Sequence, residues 1–206
     1  MVNQQPLIAV VDDEPMVLKS IARLLQLQGF AVKPYSSPQR LLDEIDSCEP
    51  GCIVADLSMP ELSGLDLQRT LAEFSERYPI VFLTGHGDIR SSVTAMRAGA
   101  VDFLTKPFEQ AELLDAIERA LRRSRHAREL IHRLDGMRDR IESLTQRERQ
   151  VFEEVVTGYL NKQIAAHLGI SEKTVKVHRA RVMRKMSVRS VAQLARLAEQ
   201  IGIPSP

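Results

Sequence analysis

The sequence has only two cysteines, Cys48 and Cys52, which excludes a disulfide scaffold and a four-thiolate zinc site. No apolar run approaches the roughly 20 residues that a bilayer crossing requires, so no membrane-spanning segment is expected. The short apolar run at the amino end leads into acidic Asp12, Asp13 and Glu14, whereas a secretory leader places basic residues before a longer apolar core. A cytoplasmic protein is therefore expected. Walker phosphate loops, dinucleotide fingerprints, zinc-protease patterns, internal repeats and low-complexity tracts are also missing. Net charge is nearly missing too, since 28 basic and 27 acidic residues leave +1 across 206 residues.

That balance hides an uneven distribution. Residues 1–121 hold 10 Lys or Arg against 18 Asp or Glu, for −8, while residues 122–206 hold 18 against 9, for +9. An acidic half suits a cation and a basic half suits phosphates or nucleic acid; docking of one half on the other would use the same asymmetry.

In the first 121 residues the hydrophobic period alternates between strand and helix. Strands are expected at Leu7–Val11, around Val32, and at Gly51–Ala55, Ile80–Leu83 and Ala100–Leu104. Helices are expected over Val17–Leu27, Leu41–Ile45, Leu65–Phe74, Val93–Ala98 and Glu109–Leu121, with Gly29 stopping the first. Five short strands separated by helices predict an α/β fold with a doubly wound parallel sheet, whose ligands bind beyond the carboxyl ends of the strands. From Arg122 the chain carries Leu130, Leu134, Met137, Ile141 and Leu144 at 4-3-4-3 spacing, a short coiled-coil stripe interrupted by Gly136. A single connecting helix, a dimer-forming helix and a flexible linker all fit this segment. The tail has no strand candidate. Thr145 with Glu148 forms a capping box, Gly158 ends that helix, Asn161 starts a second, and Ser171 caps a third after Gly169, predicting a helix-turn-helix.

The chemistry gathers at one expected sheet edge. Leu7–Val11 delivers Asp12 and Asp13, and Ile53–Ala55 delivers Asp56. Crowded carboxylates repel unless a cation enters, and an all-oxygen donor set points to Mg²⁺. The fourth strand ends in Thr84-Gly85 and the fifth leads into Thr105-Lys106-Pro107, adding a hydroxyl and an ammonium. Asp56 could then attack phosphorus as nucleophile, while Thr84 donates a hydrogen bond and Lys106 neutralises equatorial oxygens.

Asp12-Asp13, Asp56-Leu57-Ser58-Met59-Pro60 with Gly64, Thr84-Gly85 and Lys106-Pro107 resemble the receiver-domain signature of two-component response regulators. The resemblance implies phosphotransfer to Asp56 from a sensor histidine kinase, with catalytic roles for Thr84 and Lys106. It implies Mg²⁺ held directly by Asp13, Asp56 and the Ser58 carbonyl, with Asp12 acting mainly through water. Thr84 would be the hydroxyl switch and Phe103 the aromatic switch, and Lys106-Pro107 would be cis.

In the tail, Ser171 to Arg179 places Lys173, Lys176 and Val177 near one helical face, with Ala180 close by. Val175, Val182 and Met186 follow buried spacing. Thr174, Lys176, His178 and Arg179 are candidate phosphate contacts, Lys176 the best base-edge candidate, and Val177 or Ala180 a thymine-methyl contact. Leu144-Thr145-Gln146-Arg147-Glu148, Gly158, Asn161 to Ala165, Leu168 to Ser171 and Thr174 to His178 resemble the LuxR-type DNA-binding module. Leu160 departs from that pattern, where many relatives have a small polar residue, and Met186 replaces a frequent Leu. With Thr84-Gly85-His86-Gly87-Asp88 and the long linker, the chain is similar to FixJ-type transcription regulators.

That resemblance implies a receiver at 1–121, a helical linker at 122–143 and a DNA reader at 144–206. It also implies a homodimer formed on phosphorylation, promoter DNA as ligand, activation of transcription with RNA polymerase as a candidate partner, and no enzyme activity beyond self-phosphorylation and autodephosphorylation. A rival reading is a phosphorylation-controlled assembly module whose helical tail binds a protein. A haloacid-dehalogenase-like phosphatase shares the Asp nucleophile, but the paired DxD around Asp56 is missing. Cys48, Cys52, His126, His132, His86 and His167 read as ordinary structural or surface positions.

Overall fold

The computed structural model describes residues 5–85 and 89–200. His86, Gly87 and Asp88, where a loop was expected beside the pocket, lie outside them. The chain divides into two compact units, residues 1–128 and 129–206.

In the first unit, five parallel strands are ordered β2-β1-β3-β4-β5: β1 Leu7–Val11, β2 Ala31–Tyr35, β3 Cys52–Asp56, β4 Ile80–Thr84 and β5 Asp102–Thr105. Helices α1 Pro15–Leu27, α2 Pro38–Cys48, α3 Gly64–Thr70 and α4 Ile89–Arg97 fill the crossovers. The pleat sorts the strand residues onto two cores. Ala9, Val11, Ile53, Ala55, Ile80 and Phe82 meet Leu41, Ile45, Leu67 and Ala95 on one face. Ile8, Val10, Cys52, Val54, Val81 and Leu83 meet Ile21, Leu25, Leu113 and Ile117 on the other. Burial on both faces is why the central strands β1, β3 and β4 read as apolar runs.

Several element boundaries differ from expectation. β3 begins and ends one residue later, which makes Asp56 its last residue, paired in register with Leu83. β5 starts at Asp102, because Gly99 turns the chain at φ +92° and Val101 first bonds to the Ile80 carbonyl. The single helix expected at Leu65–Phe74 breaks after Thr70 into a 3₁₀ turn, Ala72–Phe74. This tightening is held by Phe74 N–H donating to the Leu71 carbonyl at 2.9 Å, and both Leu71 and Tyr78 end up buried.

The helix expected to close the domain at Leu121 does not stop there. α5 runs unbroken from Gln110 to Glu142, so the segment 122–143 is mostly helix, which both the connecting-helix and the dimer-forming alternatives require. Its first half is fastened to the sheet unit by arginines. Arg119 pairs with Asp102 at 2.5 Å, Arg123 pairs with Glu76 and donates to the Gly99 carbonyl at 2.9 Å, and Arg128 donates to the Glu49 and Pro50 carbonyls. Of the stripe residues, Met137 and Leu144 are buried, while Leu130 stays exposed.

The second unit adds α6 Gln146–Val156, α7 Asn161–Leu168, α8 Glu172–Lys185 and α9 Val191–Gln200 around Val151, Phe152, Ile164, Val175, Val182 and Met186. The Thr145–Glu148 capping box forms. Glu148 is 3% exposed and accepts from Lys185 Nζ at 2.7 Å and Thr145 N–H at 3.0 Å. Lys185 also donates to the Ser143 carbonyl, so one lysine fastens the end of α8 to the start of α6. The Lys185 hydrogen bond, helped by Thr145, lowers the Glu148 pKa to about 2. A carboxyl depressed in the folded state stabilises it above the ordinary carboxyl pKa and loses that contribution as pH falls toward the depressed value. Glu148→Gln is expected to weaken amide exchange protection in α6 by roughly 2 kcal/mol at pH 7 and by much less near pH 2.5. Equal protection of both proteins at pH 7 would remove this buried pair from the stability of the unit.

Candidate phosphoacceptor pocket and nucleic-acid interface

Asp12 follows β1 and Asp56 ends β3, so adjacent parallel strands present both carboxylates at the same edge. Asp12 is 1% exposed and Asp56 8%. Each carboxylate has one oxygen fixed by its own loop: Asp12 Oδ1 accepts from Glu14 N–H at 2.9 Å, and Asp56 Oδ2 from Ser58 N–H at 2.7 Å. The other oxygens share one cation. Lys106 Nζ lies 2.8 Å from Asp12 Oδ2 and 2.7 Å from Asp56 Oδ1. Burial works against this ammonium, but the hydrogen bonds to Asp12 and Asp56 outweigh it and hold its pKa above the usual lysine value.

Lys106 reaches the pocket because its backbone continues β5, where its N–H donates to the Thr84 carbonyl at 2.6 Å; its bond to Pro107 is cis. Thr84 ends β4 and is buried. Phe103 sits opposite Phe82 in the register and packs half-buried on the core that holds Ala95. Gly64 closes the loop over the pocket: a Cβ there would stand 2.5 Å from the Asp56 carbonyl oxygen and 2.9 Å from the Phe82 ring.

Asp13 and Ser58 are exposed beside this cluster. The donors expected for Mg²⁺, three carboxylates and a carbonyl, are all hard oxygens and fit that ion's chemistry. Among the described residues, no three His, Cys, Asp or Glu side chains are already gathered into a metal-holding group. The direct Lys106–Asp12 bond was not anticipated; the residues are 94 positions apart and no local pattern links them.

In the second unit, α7 and α8 meet through Gly169 at φ +65°, and Ser171 Oγ caps α8 by accepting from Thr174 N–H at 3.1 Å. Lys173, Lys176, Val177 and Ala180 are exposed on α8. Thr174 is half-buried, its hydroxyl 2.8 Å from that of Ser171. Arg179 is also half-buried and donates to Asn161 Oδ1 at 2.9 Å, clasping the start of α7. His178 is half-buried, and its Nδ1 has no protein partner. Arg181 and Arg184 were not singled out from the sequence, yet both are exposed and extend the Lys173–Val177–Ala180 stripe. Continuing the 3- and 4-residue spacing would have found them. Leu160 takes the N-cap position of α7 without a side-chain cap, and its N–H donates to Gln163 Oε1 at 2.8 Å.

Among the described residues, no helix is long and apolar enough to cross a membrane. Cys48 and Cys52 are free thiols, and burial pushes the Cys52 thiol pKa up.

Comparisons with known proteins bear on both units. Residues 8–118 match the response regulator receiver domain family, and residues 142–198 match the bacterial regulatory proteins of the luxR family. The chain is similar to response regulator protein TmoT of Ectopseudomonas mendocina, with 45% identity over 199 residues covering 97% of this chain and 90% of that protein. It is also similar to transcriptional regulatory protein FixJ of Rhizobium meliloti, with 44% identity over 92% of this chain and 93% of that protein. Among solved structures, response regulator StyR superposes with a TM-score of 0.81 at 42% identity, covering 95% of this chain and 99% of that one. Full-length FixJ from B. japonicum gives 0.57 at 39% identity, covering 97% of this chain and 98% of that one. A receiver joined to a helix-turn-helix reader is the architecture of phosphorylation-regulated DNA-binding transcription factors. With both families matched in order along one chain, and full-length relatives above 40% identity, the protein belongs to the FixJ-type response regulators.

Proposed function

We propose that Asp56 accepts a phosphoryl group from a sensor histidine kinase, and that the modified protein dimerises on promoter DNA and activates transcription. The observation that carries this reading is the Lys106 ammonium within 2.8 Å of both the Asp12 and Asp56 carboxylates. A cation held there is placed to neutralise phosphoryl oxygens once Asp56 is modified.

A carboxylate oxygen of Asp56 bonds to phosphorus as the bond to the donor histidine nitrogen breaks, giving an acyl phosphate. Ser58 N–H holds one Asp56 oxygen and so fixes the carboxylate plane during attack. Asp13, Asp56 and the Ser58 carbonyl are the groups that would hold Mg²⁺ directly, with Asp12 acting through water. When bound, the ion supplies further neutralisation of the phosphoryl charge. Lys106 then exchanges its contact with Asp56 for the new phosphoryl oxygens. Thr84 follows the added charge inward, the Phe103 ring takes the vacated space, and the α4–β5 surface repacks. Chemistry beyond self-phosphorylation and autodephosphorylation is not part of this reading.

Two paired receivers bring two readers together and raise the effective concentration of the second DNA contact. On α8, Lys176 reads a base edge, Val177 or Ala180 meets a thymine methyl, and Lys173 with Arg181 and Arg184 contacts phosphates. Thr174, His178 and Arg179 supply contacts where α8 enters the groove. RNA polymerase is the further partner of an activator, and the cytoplasm is the compartment that holds all these partners.

The test is DNA selected from a random pool by full-length protein with Mg²⁺ and a small-molecule phosphodonor. Recovery of a two-part site only with donor is expected. Lys176→Ala should relax the selected sequence at one position per half-site, at a cost of about 1–3 kcal/mol in binding. Log affinity should fall steeply with log salt. A pool that stays random with donor present would favour the rival reading, in which the helical unit binds a protein.

A further inference from the structure

The first unit also has a cavity of about 740 Å³ at the opposite end of the sheet from Asp56, beside Leu7 at the start of β1 and Gly51 just before β3. Its walls are the end of α2 and the face of α5 that carries Arg122, Arg125 and Arg128.

Its walls carry three arginines, Arg122, Arg125 and Arg128, against three carboxylates, Asp46, Glu49 and Glu118, and the asymmetry lies in how they pair. Of its carboxylates, Glu49 is paired to Arg77, and Glu118 lies 3.6 Å from Arg122. Arg125 gives its Nε to the Leu121 carbonyl at 3.3 Å and has no carboxylate partner among the described residues. Arg128 gives one Nη to the neutral Glu49 and Pro50 carbonyls, and its Nε is buried without any partner. The lining therefore holds two guanidiniums without a carboxylate partner, Arg125 and Arg128, beside one carboxylate, Asp46, with no ion pair among the described residues. Leu7, Phe30 and Leu121 supply apolar wall, and the volume falls in the range of small-molecule sites.

We infer that this cavity binds a small organic monoanion, a carboxylate or sulfonate on an apolar body, held by Arg125 and Arg128 of α5. Guanidinium groups recognise planar or tetrahedral anions through paired N–H donors, and the apolar wall takes the remainder of the ligand. Such a ligand would touch α5 in its last turns before Glu129, so it would be an input separate from phosphorylation.

The experiment is a fluorescence titration of the full-length protein with 8-anilinonaphthalene-1-sulfonate, beside its uncharged analogue N-phenyl-1-naphthylamine. Saturable binding of the anion at one site is expected, with the uncharged analogue roughly tenfold weaker. Arg125→Gln removes an exposed guanidinium and should weaken the anion by a similar factor. Ser47→Trp places a ring on an exposed wall position and should block the site. Bound anion should also slow alkylation of Cys48, the half-buried thiol on the wall. Equal affinity for both dyes, or affinity unchanged in Ser47→Trp, would overturn the inference; the latter result would place the dye elsewhere, including on the basic reader.

Discussion

Asp56→Asn protein, incubated with Mg²⁺ and a phosphodonor, will take up no phosphoryl group and will keep the monomer–dimer balance of untreated wild type. The amide has the shape of the carboxylate but neither its charge nor its nucleophilicity. Its carbonyl oxygen can still accept from Ser58 N–H, and Lys106 keeps Asp12 as partner. The two-carboxylate, one-ammonium cluster becomes a neutral pair, so stability should stay within about 1 kcal/mol of wild type or rise. Mass spectrometry reads the covalent change and sedimentation velocity reads the association. Donor-dependent dimers formed by the variant would move the phosphoacceptor away from Asp56. Asp56→Glu is a poorer test, because a longer carboxylate reproduces neither the shape nor the double charge of an acyl phosphate.

The second large effect belongs to Lys106. Replacing it with Met leaves Asp12 and Asp56 facing each other, nearly buried, with no cation between them. Stranding buried charges in this way costs about 3–5 kcal/mol, and Lys106→Met should lose roughly that much stability at pH 7. Mg²⁺ should stabilise the variant more than wild type, because it returns a cation to the pocket. Urea denaturation at pH 7, with and without Mg²⁺, reads both the loss and its recovery. Adding Asp12→Asn to Lys106→Met should recover much of the loss. Wild-type stability in the single variant would mean that the ammonium contributes little to holding the pocket together.

The central strands were legible because Ile8 to Val11, Cys52 to Ala55 and Ile80 to Leu83 are apolar at every position, a pattern that only a strand covered on both faces needs. Strand ends were less so. Asp56 is polar and was left outside β3, although its backbone pairs with β4. The break after Thr70 was invisible because Leu67 and Leu71 keep helical spacing on both sides of the change in winding. In α5, the change of charge at Arg122 suggested a boundary, but no Gly or Pro stands there to stop the backbone.

At the pocket, one-dimensional spacing was enough to gather Asp12, Asp56, Thr84 and Lys106 at one edge, since parallel strands present their carboxyl ends together. It could not reveal which carboxylates the lysine touches. On α8, the alternation of buried Val175 and Val182 with exposed Lys176 and Val177 was readable from helical period. The turn of Arg179 toward Asn161 was not, because it depends on how α7 crosses α8.

The Lys106 bridge ties a residue that follows the first strand to one that follows the fifth, 94 positions later. A nascent receiver emerging from the ribosome therefore holds its acidic residues long before the lysine that completes them has been synthesised. Until β5 is laid against β4, no ammonium stands between those carboxylates, and the two acidic loop ends must be kept apart by solvent alone.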